Sequence, residues 1–270
     1  SIVTGDVRKL LSARENHGAL FQVASQFNML EMISPTHTPD EGVTIYRLDP
    51  TQGPACAIAA GAATIYRNYL VPCAGTLGQR ADRQLNGLCY VGEYLSQRLA
   101  MPVTDLWKMR NGYALCTRPG LVAINALLRE DGETVLDEVR SRLRVGIHRN
   151  VQVTDVIGSP VQLVSQVFCS ALPVAYSEIP SELWSVFARL ILEAAYEATL
   201  LEGVRNEASG GSNVVFLTRL GGGAFGNEND WIHGAIERAL QLFRNSPLDV
   251  RIVTYQEPSS SLTKVVQRFV

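Results

Sequence analysis

The amino-acid sequence predicts a single three-layer α/β domain on a largely parallel or mixed sheet. Three observations predict it. Short apolar runs around 20–24, 214–217 and 250–253 alternate with longer segments of helical periodicity, as in βαβ units. The length of 270 residues, 46% hydrophobic and 19% charged, suits one large domain with a continuous core. Near the C-terminal end a strand runs straight into a glycine-rich loop and then a helix, a sequence of elements at home in open α/β sheets.

The elements follow in order. Residues 7–15 read as a polar helix with Asp6 in position to cap it, because a short carboxylate accepts an orphan N–H of the first turn. Leu20, Phe21, Val23 and Ala24 form an apolar run that predicts a buried strand. The stretch Ser34-Pro35-Thr36-His37-Thr38-Pro39-Asp40 is a loop by its composition, and Val43, Ile45 and Leu48 predict a short extended segment. Thr51-Gln52-Gly53-Pro54 opens a small-residue helix over 55–69, with Pro54 in the first turn, where its missing N–H leaves nothing unpaired.

The middle zone, 73–161, reads as an insertion. It carries an amphipathic helix over 83–99, a hairpin turning at Asn111-Gly112, a helix marked by Val135, Val139 and Leu143, and a second hairpin about Arg149-Asn150. Beyond it, Leu163, Val164, Val167, Phe168, Ala171 and Leu172 mark an apolar strand. Pro180-Ser181-Glu182 opens a helix to about residue 204, with Leu183, Phe187, Leu190, Ile191 and Ala194 on one face. A polar loop over 206–212, a buried strand at 214–217, a helix marked by Trp231, Ile232, Ala235, Ala239 and Leu242, and a last strand at 250–253 complete the domain.

Composition excludes several classes of function. A net charge of −2 and a pI of about 6.1 lack the basic excess of a protein that tracks nucleic-acid phosphates. No apolar run reaches the roughly 18 residues of a membrane span, and no charged-then-apolar leader opens the chain. Five scattered cysteines without a C-x-x-C point to a reducing compartment, so a cytoplasmic or nuclear location is expected. The four histidines form no H-x-x-x-H pair, and neither a metal site nor a cofactor is expected.

The segment after the 214–217 strand carries the chemistry. Gly221, Gly222, Gly223 and Gly226 leave main-chain N–H groups free to face phosphate oxygens, and the following helix adds a favourable field. The same residues also tighten a turn. The loop matches G-x-G-x-x-G at Gly221, Gly223 and Gly226, yet a dinucleotide fold opens with that loop, and here only 44 residues follow Gly226. The acidic residue expected after the next strand is misplaced too, since Asp249 precedes that strand and Glu257 follows it late.

On these blocks the chain resembles a divergent macro domain, the ADP-ribose-binding α/β/α module. Leu220 to Asn227 is similar to the family's second phosphate-binding loop, a small-residue run ending in Gly-aromatic-Gly, here Ala224-Phe225-Gly226. Gly5-Asp6-Val7 resembles the Gly-Asp-Ile that opens the module. LFQVASQFN at 20–28 resembles the strand leading to its Asn-bearing segment, and TQGPACA at 51–57 lies where the first glycine-rich loop belongs. The blocks cover roughly 1–70 and 160–256. The first loop departs in having Gly53 alone, and no paired Glu of the poly(ADP-ribose) glycohydrolase subgroup follows it.

The resemblance implies a macro-domain-like mixed sheet elaborated by the middle insertion. It implies ADP-ribose or an ADP-ribosylated substrate as partner, nucleic acid only as a modified substrate, and no membrane. Asp6 would accept from the adenine amino group, and Tyr255 would stack on the base. The diphosphate would lie between Gly221, Gly222, Gly223, Ala224, Phe225, Gly226 and Asn227 on one side and the Gln52-Gly53 turn on the other, with Phe225 against the distal ribose. Asn28 would hold that ribose or a water at its anomeric carbon, and Glu31 would protonate the leaving group. Local roles compete at each position: a helix cap for Asp6 and Asn227, a turn for Asn28, a solvated carboxylate for Glu31, a core plug for Phe225 and an edge aromatic for Tyr255. Gln26 is an ordinary loop polar that could bind a hydroxyl, and His148 a lone histidine in the second hairpin. Cys56, in a first helical turn, is either a buried small residue or a nucleophile. The expected function is hydrolysis of an ADP-ribosyl linkage, with a non-catalytic ADP-ribose or NAD-metabolite binding module as the alternative.

Overall fold

In a computed structural model that describes residues 1–130 and 132–269, six strands make the central sheet. They are β1 (Ile2–Thr4), β2 (Leu20–Ala24), β3 (Gly146–Gln152), β4 (Leu163–Cys169), β5 (Val214–Leu217) and β6 (Asp249–Thr254), in the spatial order β1-β6-β5-β2-β4-β3. All neighbours are parallel except β3 and β4. In the middle, β2 pairs with both β4 and β5, Leu20 lying opposite Ser165 on one side and Val215 on the other.

Strand alternation divides the core in two. Leu20, Val167, Val215 and Leu217 face a layer that includes α3 (Cys89–Leu99), α4 (Arg118–Glu130), α5 (Gly132–Arg142), α6 (Ser181–Ala208) and α7 (Asn229–Leu242). Phe21, Val23, Phe168 and Phe216 face the other layer, built on α1 (Val7–Ser12) and α2 (Gln52–Ala59). The rings of Phe21 and Phe216 stack across neighbouring strands at 4.4 Å. The predicted three-layer α/β/α class is the class observed.

Several elements differ from expectation, each for a tertiary reason. The 43–48 segment is a 3-10 helix rather than extended. The helix expected over 55–69 stops at Ala59, because the Thr154 N–H takes the Ala59 carbonyl at 2.7 Å and its hydroxyl accepts from Gly61 N–H at 3.2 Å. The chain resumes as a short helix, Gly61–Ile65, and a π turn, Tyr66–Leu70. The helix expected over 83–99 begins only at Cys89, the stretch before it being a loop anchored by Gln79, whose side chain accepts from Leu85 N–H. The hairpin expected at Arg149-Asn150 is instead a bulge within β3, with Asn150 at φ 53°. β1, α4 and a last helix, α8 (Ser260–Gln267), went unread in the sequence.

The first hairpin forms as expected, Trp107–Arg110 against Tyr113–Cys116, with Asn111 at φ 47° and Gly112 at φ 80°. Its turn rests on the loop after β2. The Gly112 carbonyl accepts from Phe27 N–H at 3.0 Å, and a Cβ at Gly112 would lie 2.6 Å from the Asn28 Oδ1. Among the described residues the 73–161 zone carries this hairpin and four helices, the fourth a single turn at Val103–Leu106, and its end supplies the edge strand β3. Among the described residues, no helix is long and apolar enough to cross a membrane.

Candidate functional site

In open α/β sheets a crevice forms outside the carboxyl ends of strands where the chain changes direction across the sheet. Here the chain passes from β4 to β5 across β2, and these three parallel strands end together. A cavity of about 190 Å³ opens at that point, walled by Ser25 and Gln26 after β2, Ala171 after β4, and Thr218 to Gly221 after β5. Gln22, buried within β2, sets the exit of β5 by accepting from Thr218 N–H at 3.2 Å.

Two stretches of main chain with unpaired N–H groups border this space. The glycine-rich loop is closed by its own bonds, Gly222 N–H to the Arg219 carbonyl, Gly226 N–H to Gly223 and Asn227 N–H to Gly221. The N–H groups of Gly221, Gly223, Ala224 and Phe225 have no acceptor among the described residues. Gly221 sits at φ 74°, and a Cβ there would lie 2.5 Å from Ala171, so glycine is required. Gly223 faces open space. Opposite, Thr51 and Gln52 at the start of α2 line the cavity, and the N–H groups of Gln52 and Gly53 are unpaired among the described residues.

Glu31 is the buried charge of the site. Both oxygens of its carboxylate accept from Arg67 Nη2 at 3.0 Å, and the same guanidinium donates Nε–H to the Met29 carbonyl at 3.0 Å. Burial pushes the Glu31 carboxyl up to about 7, against the pull of Arg67. Asp49 lines the same cavity half-exposed, its Oδ1 accepting from Thr51 N–H at 2.8 Å. Tyr113, Tyr176 and Phe225 form an aromatic wall with ring centroids 5.1–5.7 Å apart. The Tyr113 hydroxyl donates to the Met32 carbonyl at 2.7 Å and fixes that wall to the Glu31 loop.

Of the residues expected from sequence, Glu31, Gln52, Gly221, Gly223, Ala224 and Phe225 come together around the cavity. Asn28 does not line it. Its fully buried amide accepts from Leu30 N–H and donates to Gln84, shaping the loop rather than facing a ligand. Gln52 spends its side chain on β2, accepting from Ala24 N–H and donating to the Gln22 carbonyl. Gly53 lets α2 close on β2, since a Cβ there would collide with the Ala24 carbonyl. Asn227 does not cap α7, whose N-cap is Glu228; its side chain instead donates to the Leu172 carbonyl at 2.9 Å. Gly222 abuts Ile232 and Gly226 abuts Ala175, so both serve the bend.

Asp6 caps α1 by accepting from Arg8 N–H, as its local role foresaw. It and Tyr255, 82% exposed, follow the paired ends of β1 and β6, the neighbours beyond β5 at the same end of the sheet. Cys56 is buried, and burial pushes its thiol far above the usual range, as suits a small core residue. Sequence reasoning missed Tyr113, Tyr176, Asp49 and Arg219. Only Tyr113 carried a signal, its place beside the Asn111-Gly112 turn.

No protein-family model and no curated protein matches the chain. Among solved structures it is similar to an alphavirus P23pro-zbd at 12% identity, over 100% of this chain and 23% of that one, with a TM-score of 0.37. The chain thus spans under a quarter of that structure's length. It is also similar to poly(ADP-ribose) glycohydrolase from Thermomonospora curvata bound to the inhibitor ADP-HPD, at 14% identity over 79% of this chain and 98% of that one, with a TM-score of 0.29. Likeness at this level assigns neither residue roles nor activity.

Proposed function

We propose that this chain binds ADP-ribose, or a close nucleoside-diphosphate relative, across the carboxyl ends of its sheet and hydrolyses an ADP-ribosyl linkage there. The observation that carries the reading is a convergence in one crevice. Two sets of unpaired main-chain N–H groups meet a buried carboxyl group that burial pushes up to about 7. The N–H groups suit diphosphate oxygens. The cavity, at about 190 Å³, is smaller than the roughly 300–1,000 Å³ of sites that enclose a whole ligand. In this reading it encloses the ribose end, with Phe225 and the tyrosines against the sugar. The adenine lies on the open ledge of Asp6 and Tyr255. That ledge is two to three strands from β2, about 10–14 Å at ordinary strand spacing, which suits the two ends of an extended nucleotide. The macro-domain resemblance of Gly5-Asp6-Val7 and of 220–227 supports the same ligand class.

Hydrolysis needs a proton for the leaving group and a water for the anomeric carbon. Glu31 gives its proton to the leaving atom as the bond to the anomeric carbon breaks. Water forms the new bond to that carbon, and Asp49 takes the water's proton. The test is turnover of an ADP-ribosylated substrate. Glu31→Gln is expected to lower kcat by roughly 10²–10⁴-fold while leaving ADP-ribose binding in place. A wild-type protein that binds ADP-ribose but shows no turnover would leave the binding-module reading, which the internal engagement of Asn28 favours.

A further inference from the structure

Arg67 also lines a second groove, about 610 Å³ in volume, between the helical segment at 61–70 and β3. It shares no lining residue with the strand-end cavity. Its floor holds two unsatisfied nitrogens. Arg67 is only 3% exposed, yet its Nη1 has no partner, and the buried Nδ1 of His148 has none either. The Arg67 guanidinium lies 3.8 Å over the Phe168 ring, and the His148 ring meets Tyr66 and Phe168 at 5.5 and 5.8 Å. Burial, with Arg67 nearby, holds His148 down at about 4, so at neutral pH the imidazole carries one proton. Tyr66 and Ile147, both large and exposed, form the apolar walls.

Its two guanidiniums are paired outside it, Arg67 with Glu31 and Arg149 with Glu202, and no carboxylate lines it, so the orphan nitrogens decide what it would take. A buried guanidinium nitrogen without an acceptor is an unfavourable arrangement that an anion relieves. With the imidazole proton on Nδ1, His148 and the Arg67 Nη1 offer two donors between apolar walls, which match the two oxygens of a carboxylate; a phosphate would leave an oxygen unmet. We propose that this groove binds a small carboxylate with an aromatic body, its oxygens accepting from Arg67 Nη1 and His148 Nδ1–H and its ring lying between Tyr66 and Ile147. Both nitrogens lie beneath the surface, so the ligand reaches them with the exposed Tyr66 ring turned outward. The groove and the strand-end cavity share no lining residue, and they are linked through the Arg67–Glu31 pair.

Calorimetric titration with benzoate, and with neutral benzamide of the same shape, tests it. Benzoate is expected to bind at millimolar concentration or tighter, and benzamide at least roughly tenfold more weakly, since a charged acceptor strengthens the hydrogen bonds. Ile147→Glu places a carboxylate on the exposed wall, where it fills the role of the ligand. That variant is expected to melt as the wild type does and to lose benzoate binding. Saturating ADP-ribose is expected to leave the benzoate affinity unchanged. Absent benzoate binding, equal affinity for benzamide, binding retained in Ile147→Glu, or displacement by ADP-ribose would each overturn the proposal.

Discussion

Glu31 and Arg67 are the residues on which the site turns. Each is nearly without solvent, and each is satisfied chiefly by the other. Above pH 7, where Glu31 ionises, Arg67→Met removes the partner of a buried carboxylate and is expected to destabilise the fold by about 3–5 kcal/mol, read from denaturant unfolding at about pH 8. The sign of the Glu31 effect follows from its ionisation. The carboxyl titrates near 7 folded against 4.5 unfolded, so the stability it confers is fully present below 4.5 and is lost as pH rises through 7. Melting temperatures of wild type and Glu31→Gln should therefore diverge between pH 4.5 and 7.5, the wild type losing up to about 3 kcal/mol relative to the variant. Parallel curves would contradict the assignment. Sequence could single out Glu31 as a carboxylate three residues past Asn28. It could not show that Arg67, 36 residues on, would meet it, nor that Asn28 would turn to Gln84.

Elements were legible where local pattern and tertiary context agree. β2, β5 and the Asn111-Gly112 hairpin formed as read because an apolar run or a turn dipeptide decides them locally. The helix expected over 55–69 broke where Thr154, from beyond β3, takes its hydrogen bonds, and Asn150 marks a bulge because β3 pairs with β4 rather than folding back on itself. Two glycines separate packing from binding. Gly53→Ala forces α2 away from the Ala24 carbonyl and is expected to cost about 1–3 kcal/mol. A Cβ at Gly223 meets no atom within 4 Å, and Gly223→Val is expected to stay within about 0.5 kcal/mol of wild type. Thermal melts of the two variants check the contrast, and equal losses would place Gly223 in the packing of the bend.

At the scale of the molecule, the sheet order sets the site's position. The passage from β4 to β5 across β2 opens the crevice, and the N-terminus of α2 and the glycine-rich loop close on it from either side. The sequence showed both loops but not their distance apart. The hairpin that carries Tyr113 was legible from Asn111-Gly112, but its docking against the loop after β2, which brings Tyr113 to the wall, is a long-range contact with no local pattern. The central claim is that the bared N–H groups of this crevice hold a diphosphate. Titration calorimetry of ADP-ribose into wild-type protein and Gly223→Val tests it most directly. The account predicts saturable binding to the wild type and none to the equally stable variant. Equal binding to both, or no heat from the wild type at millimolar ADP-ribose, would contradict it.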